Sequence, residues 1–179
     1  NHRIMAEIFN SAKRPFYGSC RGLALDFIDE NEYGNFIKEL FFHHKRKINP
    51  EAIEYILSFS ERHTYYTQLL CNHIFNTGEK HITTAIVVAA CAEILKQEEV
   101  TFYQFRNLIT ATQWQLLTAI AKETRVYKPH ASAFIKKYQL GTSSLVTRTL
   151  DSLLAKEMVY YNSGVKEPYY AVYDKFLMR

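Results

Sequence analysis

The run Thr142-Ser143-Ser144-Leu145-Val146-Thr147-Arg148 sets hydroxyls beside a guanidinium at helical spacing. If Leu145, Val146, Leu150, Leu153 and Leu154 turn inward, then Ser143, Ser144, Thr147 and Arg148 turn outward. Hydroxyls and the free amides of a helix N-terminus suit phosphate oxygens, and arginine is a bidentate donor to guanine. Lys136, Lys137 and Lys166 add point charges for phosphates, whereas Asp151 opposes an anionic partner and Glu167 sits beside Lys166. The same face also serves a surface that contacts protein.

A second group is the polar turn Ser60-Glu61-Arg62-His63, which opens into the aromatic and leucine run Thr64-Tyr65-Tyr66-Thr67-Gln68-Leu69-Leu70. Arg62 and His63 suit an anion or a ring; a plain helix start with Thr64 as cap is the alternative. Other chemistry has less to work with. Glycines 18, 22, 34, 78, 141 and 164 never cluster, and no Gly-x-x-x-x-Gly-Lys-Ser/Thr exists to cradle phosphates. No acidic residue follows an apolar strand in the way magnesium needs. The seven histidines show no metal spacing, and no nucleophile–base pair stands out. Catalysis by this chain alone is therefore not expected.

Helical periodicity dominates up to about residue 157. Arg3 to Asn10 reads as a short helix that stops before Arg14-Pro15, and Leu23 to Ile28 reads as extended. Asp29 and Glu32 form a capping box ahead of a helix with Tyr33, Phe36, Ile37, Leu40 and Phe41 on one face. His43-His44-Lys45-Arg46-Lys47 closes it, with cations suited to the dipole or to an anion. Asn49-Pro50 starts a second helix with Ala52, Ile53, Ile56 and Leu57 buried. A third runs from about Thr64 to Phe75, with Tyr66, Leu69, Leu70 and Ile74 inward, and a long fourth from about Thr83 to Asn107.

The grammar then changes. Thr110 and Gln113 make a capping box for a helix with Trp114, Leu117, Ile120 and Ala121. Pro129 opens a helix with Phe134, Ile135 and Tyr138, ended by Leu140-Gly141 in a left-handed cap. Thr142 or Ser143 caps the next. Met158 to Tyr161, a turn at Asn162-Ser163-Gly164, and Tyr169 to Tyr173 form a hairpin. Three helices and a two-stranded wing make a winged helix-turn-helix. The expected fold is mainly α, a helical bundle followed by a winged helix with a small β-hairpin. Its divisions are 1–28, 29–107 and 108–179.

The 179 residues, 47% of them hydrophobic with thirteen Tyr and twelve Phe, suffice for one large or two small domains with ring-built cores. No apolar run is long enough to span a bilayer, no signal peptide is visible, and a start at Asn1 rather than Met reads as a truncated beginning. Cys20, Cys71 and Cys91 are odd in number and dispersed, which implies no disulfide framework and a reducing, cytoplasmic setting. Residues 1–100 hold 11 Lys/Arg against 13 Asp/Glu, net −2, and residues 101–179 hold 11 against 5, net +6. An anionic partner therefore belongs to the C-terminal half.

Three stretches carry a family resemblance that extends over nearly all of the chain. Tyr65-Tyr66-Thr67-Gln68-Leu69-Leu70 resembles the Gly-His-Pro-Tyr-Tyr-x-Gln-Leu-Leu segment of archaeal-type P-loop ATPases, related to the AAA+ and STAND groups. Lys13-Arg14-Pro15-Phe16-Tyr17-Gly18 resembles their Ser-Arg-Pro-Phe-Tyr segment, and Leu25 to Phe41 the approach to their helical lid. The resemblance implies that 1–28 ends a nucleotide-binding core, 29–107 is a lid and 108–179 a winged helix. ATP and Mg2+ would belong to the parent protein, and the upstream core would be this chain's partner.

By the same resemblance Arg14 is a charge sensor or arginine finger; its other reading is a surface arginine before a proline turn. His63 takes the place of the family's nucleotide-facing histidine, with Arg62 and Thr64 replacing the flanking glycine and proline. The winged helix would then contact duplex DNA or a protein under control of nucleotide state. The alternative is a free-standing winged-helix DNA-binding regulator with an N-terminal helical interaction domain.

Overall fold

The computed structural model describes Ser19 and residues 28–179. The expected helix over 3–10, the segment Lys13–Gly18 with Arg14, Cys20 and most of the extended stretch at 23–28 lie outside the described residues. Helix α1 (Glu30–His43) is started by the Asp29 carboxylate, which accepts from the Asn31 and Glu32 amides at 2.9 and 3.2 Å. It buries Tyr33, Ile37 and Phe41, spaced by four. Phe36 and Leu40 correct the expected five-residue stripe: they lie one flank away and are 59% and 46% exposed.

Helices α2 (Pro50–Phe59), α3 (Thr64–Asn76) and α4 (Thr84–Asn107) complete the bundle. Asn49 stands at the cap of α2 and Pro50 opens it, but the Asn49 side chain makes no cap bond. Ala52, Ile53, Ile56, Leu57, Tyr66, Leu70, Ile74, Val87, Ala90, Cys91 and Ile94 join the α1 stripe in one core. Two short parallel strands, β1 (Lys47–Ile48) and β2 (His81–Ile82), tie the loop after α1 to the loop before α4. Burial pushes the Cys71 thiol up to about 12 and the Cys91 thiol up to about 11, so both are inert packing groups.

The basic run after α1 is not a simple dipole cap. Only His43 lies in the last turn, and Lys47 enters β1. Arg46 crosses to α3, where its guanidinium lies 3.7 Å over the Phe75 ring and donates to the Phe75 carbonyl. That carbonyl is one of the last in α3, beyond the regular helical ladder, where it also receives the Gly78 amide at 3.4 Å.

Four helices end with the same crossed pair of backbone bonds around a left-handed residue that is not glycine. After α1, Arg46 N–H reaches Phe41 O and Lys45 N–H reaches Phe42 O, with Lys45 at φ 58°. After α2, Arg62 N–H reaches Leu57 O, with Glu61 at φ 50°. Gln139 (φ 54°) and Glu157 (φ 57°) play this part in the second unit. Such ends satisfy orphan carbonyls, but a side chain in this geometry costs about 1 kcal/mol against glycine.

In that unit, helix α5 (Ala111–Glu123) begins with the expected capping box: Gln113 N–H donates to Thr110 Oγ1 at 3.3 Å and Thr110 N–H to Gln113 Oε1 at 3.0 Å. Helix α6 (Ser132–Tyr138) begins three residues after Pro129, which sits in the preceding turn, and its left-handed end is Gln139 rather than Gly141. Helix α7 (Ser143–Ala155) is capped by Thr142, whose hydroxyl accepts from Leu145 N–H. Strands β3 (Val159–Asn162) and β4 (Tyr169–Val172) pair antiparallel, and Val126 adds a two-way bridge to Tyr170. A second core gathers Leu116, Leu117, Ile120, Val146, Leu150, Leu153, Val159 and Val172. The chain is thus mainly helical, with a two-stranded hairpin closing a helix-turn-helix. Among the described residues no helix is long and apolar enough to cross a membrane.

Lys45 is exposed in its left-handed position. Lys45→Gly is expected to raise stability by about 0.5–1 kcal/mol in urea unfolding, because it relieves the backbone and removes no contact.

Candidate functional site

Helix α7 buries Val146, Thr149, Leu150 and Leu153, which fixes its rotation. Ser143, Ser144, Thr147 and Arg148 are consequently all exposed on one side, beyond an N-terminus opened by Thr142. Thr147 donates its hydroxyl back to Ser143 O at 3.0 Å and still offers its lone pairs outward. Asp151, one turn on, is exposed near Tyr170, whose pKa is raised first by burial and then by Tyr161 and Asp151. Lys166 and Glu167 are both exposed in the loop joining β3 to β4.

The two lysines of α6 behave differently. Lys136 is exposed, whereas Lys137 donates to Glu123 at 2.5 Å and Tyr138 donates to the same carboxylate oxygen at 2.7 Å. Those hydrogen bonds hold the Glu123 carboxyl below its ordinary range and the Lys137 ammonium above its own. Lys137 therefore brings less net charge to a phosphate than its position suggests.

Arg62 and His63 lie 70 residues or more before α7 in sequence, yet the second unit reaches their turn directly. It does so through Asp174–Arg179, the segment after β4. Lys175 is 2% exposed, and its ammonium lies 2.7 Å from Glu61 Oε2. The same ammonium donates to Val172 O at 3.3 Å and sits 5.1 Å from the Tyr160 ring centre. Phe176 packs edge-on against Tyr66 at 4.7 Å and at a tilt against Phe59 at 5.8 Å, and so joins the first core. Arg179 donates to Ser58 O at 2.5 Å and Phe59 O at 3.1 Å, the last carbonyls of α2. Asp174 organises the segment by accepting from the Phe176 and Leu177 amides.

This arrangement explains the odd backbone of the turn. Glu61 and Arg62 are both left-handed, and Glu61 occupies the position where helix ends favour glycine. Its carboxylate is what Lys175 requires. Glu61 Oε1, by contrast, is buried without a hydrogen-bond partner, so closure carries an opposing cost of about 1–3 kcal/mol. Thr64 is not the cap of α3: His63 holds that place in extended geometry with no side-chain bond. The nearby hydroxyl bond is instead Ser60 with Thr67 at 2.7 Å, fully buried. His63 lies edge-on to Tyr66 at 4.9 Å, and its pKa is lowered by partial burial and then by Lys175.

Residues 100–179 match the family model described as a probable winged helix domain. No curated protein matches the chain. The match begins within α4 and spans the capping box, α7, the hairpin and Asp174–Arg179. Glu61 stands in the polar turn that sequence marks, but its pairing with Lys175, and the parts of Lys175, Phe176 and Arg179, carry no such mark. The one signal available was an apolar and basic run, Lys175-Phe176-Leu177-Met178-Arg179, past the end of a strand.

Two outcomes follow. Glu61→Gly relaxes the backbone but strands a buried ammonium, so stability should fall by about 2–4 kcal/mol, opposite in sign to Lys45→Gly. His63 is neutral in folded and unfolded chains above its ordinary value of 6.5. As pH falls below that, the unfolded chain protonates first, so stability declines until the lower folded value is passed. The groups facing His63 are Lys175 and Asp174 from the last segment and Tyr66 from α3. His63→Gln should flatten that part of the stability–pH curve in thermal unfolding.

Proposed function

We propose that residues 108–179 contact duplex DNA through α7, under the control of residues 29–107 acting as the lid of a P-loop ATPase. The observation that carries the DNA contact is the outward face of α7, where Ser143, Ser144, Thr147 and Arg148 stand exposed beside its N-terminal amides. In a winged helix this helix enters the major groove, hydroxyls and amides meet phosphates, and a guanidinium reads guanine. The net +6 of residues 101–179 favours the approach, and Lys136 and Lys166 flank the face. With Lys137 engaged by Glu123 and with Asp151 opposing, the contact is weak and salt-sensitive.

The lid half of the reading rests on the Tyr-Tyr-x-Gln-Leu-Leu motif and on its place in the fold. The turn that would face nucleotide, Arg62-His63, adjoins the Glu61–Lys175 pair, and Lys175 belongs to the same unit as α7. A lid displaced by nucleotide thereby repositions the DNA-contacting unit as a population shift between two arrangements. ATP and Mg2+ belong to an upstream core, and this chain does no phosphoryl transfer by itself.

Fluorescence anisotropy with labelled duplex DNA tests the contact. Binding should weaken with salt at a log–log slope of about −3, and Arg148→Ala should reduce affinity about tenfold or more. Binding that ignores salt and Arg148 would contradict the reading and point to a protein partner instead.

A further inference from the structure

Among the described residues, the two cores meet through Asp174–Arg179, with α4 as the covalent link. Phe176 enters the first core and Met178 the second, four sides of the crossing being Tyr66, Phe59, Glu61 and the α2 carbonyls. Each core is otherwise assembled from its own residues. Between them α4 is one continuous helix: Phe102 packs against the first core and Phe105 against the second, while Val100 and Tyr103 on its other side are 70% and 69% exposed. The crossing also holds opposing forces: a buried ion pair, an unpartnered Glu61 Oε1 and two successive left-handed residues. Buried ion pairs recover their desolvation only with good geometry, and strained turns persist only while their surroundings hold them.

We propose that Asp174–Arg179 is a releasable strap. With Glu61 and Lys175 paired, it locks the winged-helix unit onto the helical bundle; with the pair open, the unit swings on α4 while both cores stay folded. The pair is the control point because Lys175 is anchored to the hairpin through Val172 O and Tyr160, whereas Glu61 belongs to the turn that carries Arg62 and His63. Any partner that reshapes that turn acts on the strap. That nucleotide is such a partner rests on the lid reading above; the strap itself does not.

Hydrogen exchange by mass spectrometry on the whole chain tests it. In Lys175→Glu, protection at residues 58–63 and 174–179 should fall about tenfold or more, with α7 and the interior of α3 unchanged. The swap Glu61→Lys with Lys175→Glu should restore it. Lys175→Met, which keeps the buried stem, should show a smaller loss in the same two segments and covers the case in which the charge reversal does not fold. Unchanged protection in Lys175→Glu and Lys175→Met, loss spread equally over α5 and α7, or a swap that restores nothing would each overturn the strap. Absence of DNA binding by the unaltered chain, with the exchange changes above still observed, would instead count against the function proposed above and leave the strap standing.

Discussion

A single ammonium, buried to 2% exposure between the hairpin and the end of α2, sets how this molecule hangs together. A buried lysine is tolerated only when its charge is met, and Glu61 meets it. To do so Glu61 adopts a left-handed backbone that glycine would hold more cheaply. Phe176 and Arg179 then close the remaining gap, one by filling the first core and one by satisfying the carbonyls that α2 leaves open. Removing either charge leaves the other stranded, which costs about 3–5 kcal/mol in such settings. The pair is thus a weak source of net stability and a strong determinant of which surfaces meet.

The consequence for function is one of geometry. The polar face of α7 is turned to solvent by Val146, Leu150 and Leu153, while Lys175 of the same unit is tied to Glu61 in the turn that carries Arg62 and His63. The proposed recognition face and the Glu61–Lys175 tie therefore belong to one unit. Neither needs a catalytic group in this chain.

Most of the architecture was legible because local chemistry punctuates it: Asp29, Pro50 and the Thr110–Gln113 box each stand at a helix start. The outward set on α7 followed from its apolar spacing alone. Helix ends built on Lys45, Glu61, Gln139 and Glu157 carry no glycine, so the ends at Lys45 and Glu61 gave no signal and the end of α6 was read two residues late. The β1–β2 pair is two residues long and carries no periodicity. The Glu61–Lys175 pair joins residues 114 positions apart, and no local pattern encodes such a partnership. Lys137 could be placed on α6 from sequence, but its capture by Glu123 could not.

We propose that residues 29–107 act as a lid which, with the winged helix, reports the nucleotide state of an upstream core to DNA. The most direct measurement is ATP turnover by the chain extended upstream of Asn1, with and without duplex DNA. Turnover that rises on adding DNA is the predicted result. A folded extended chain that neither binds nor hydrolyses ATP would contradict the account and leave a free-standing winged-helix regulator.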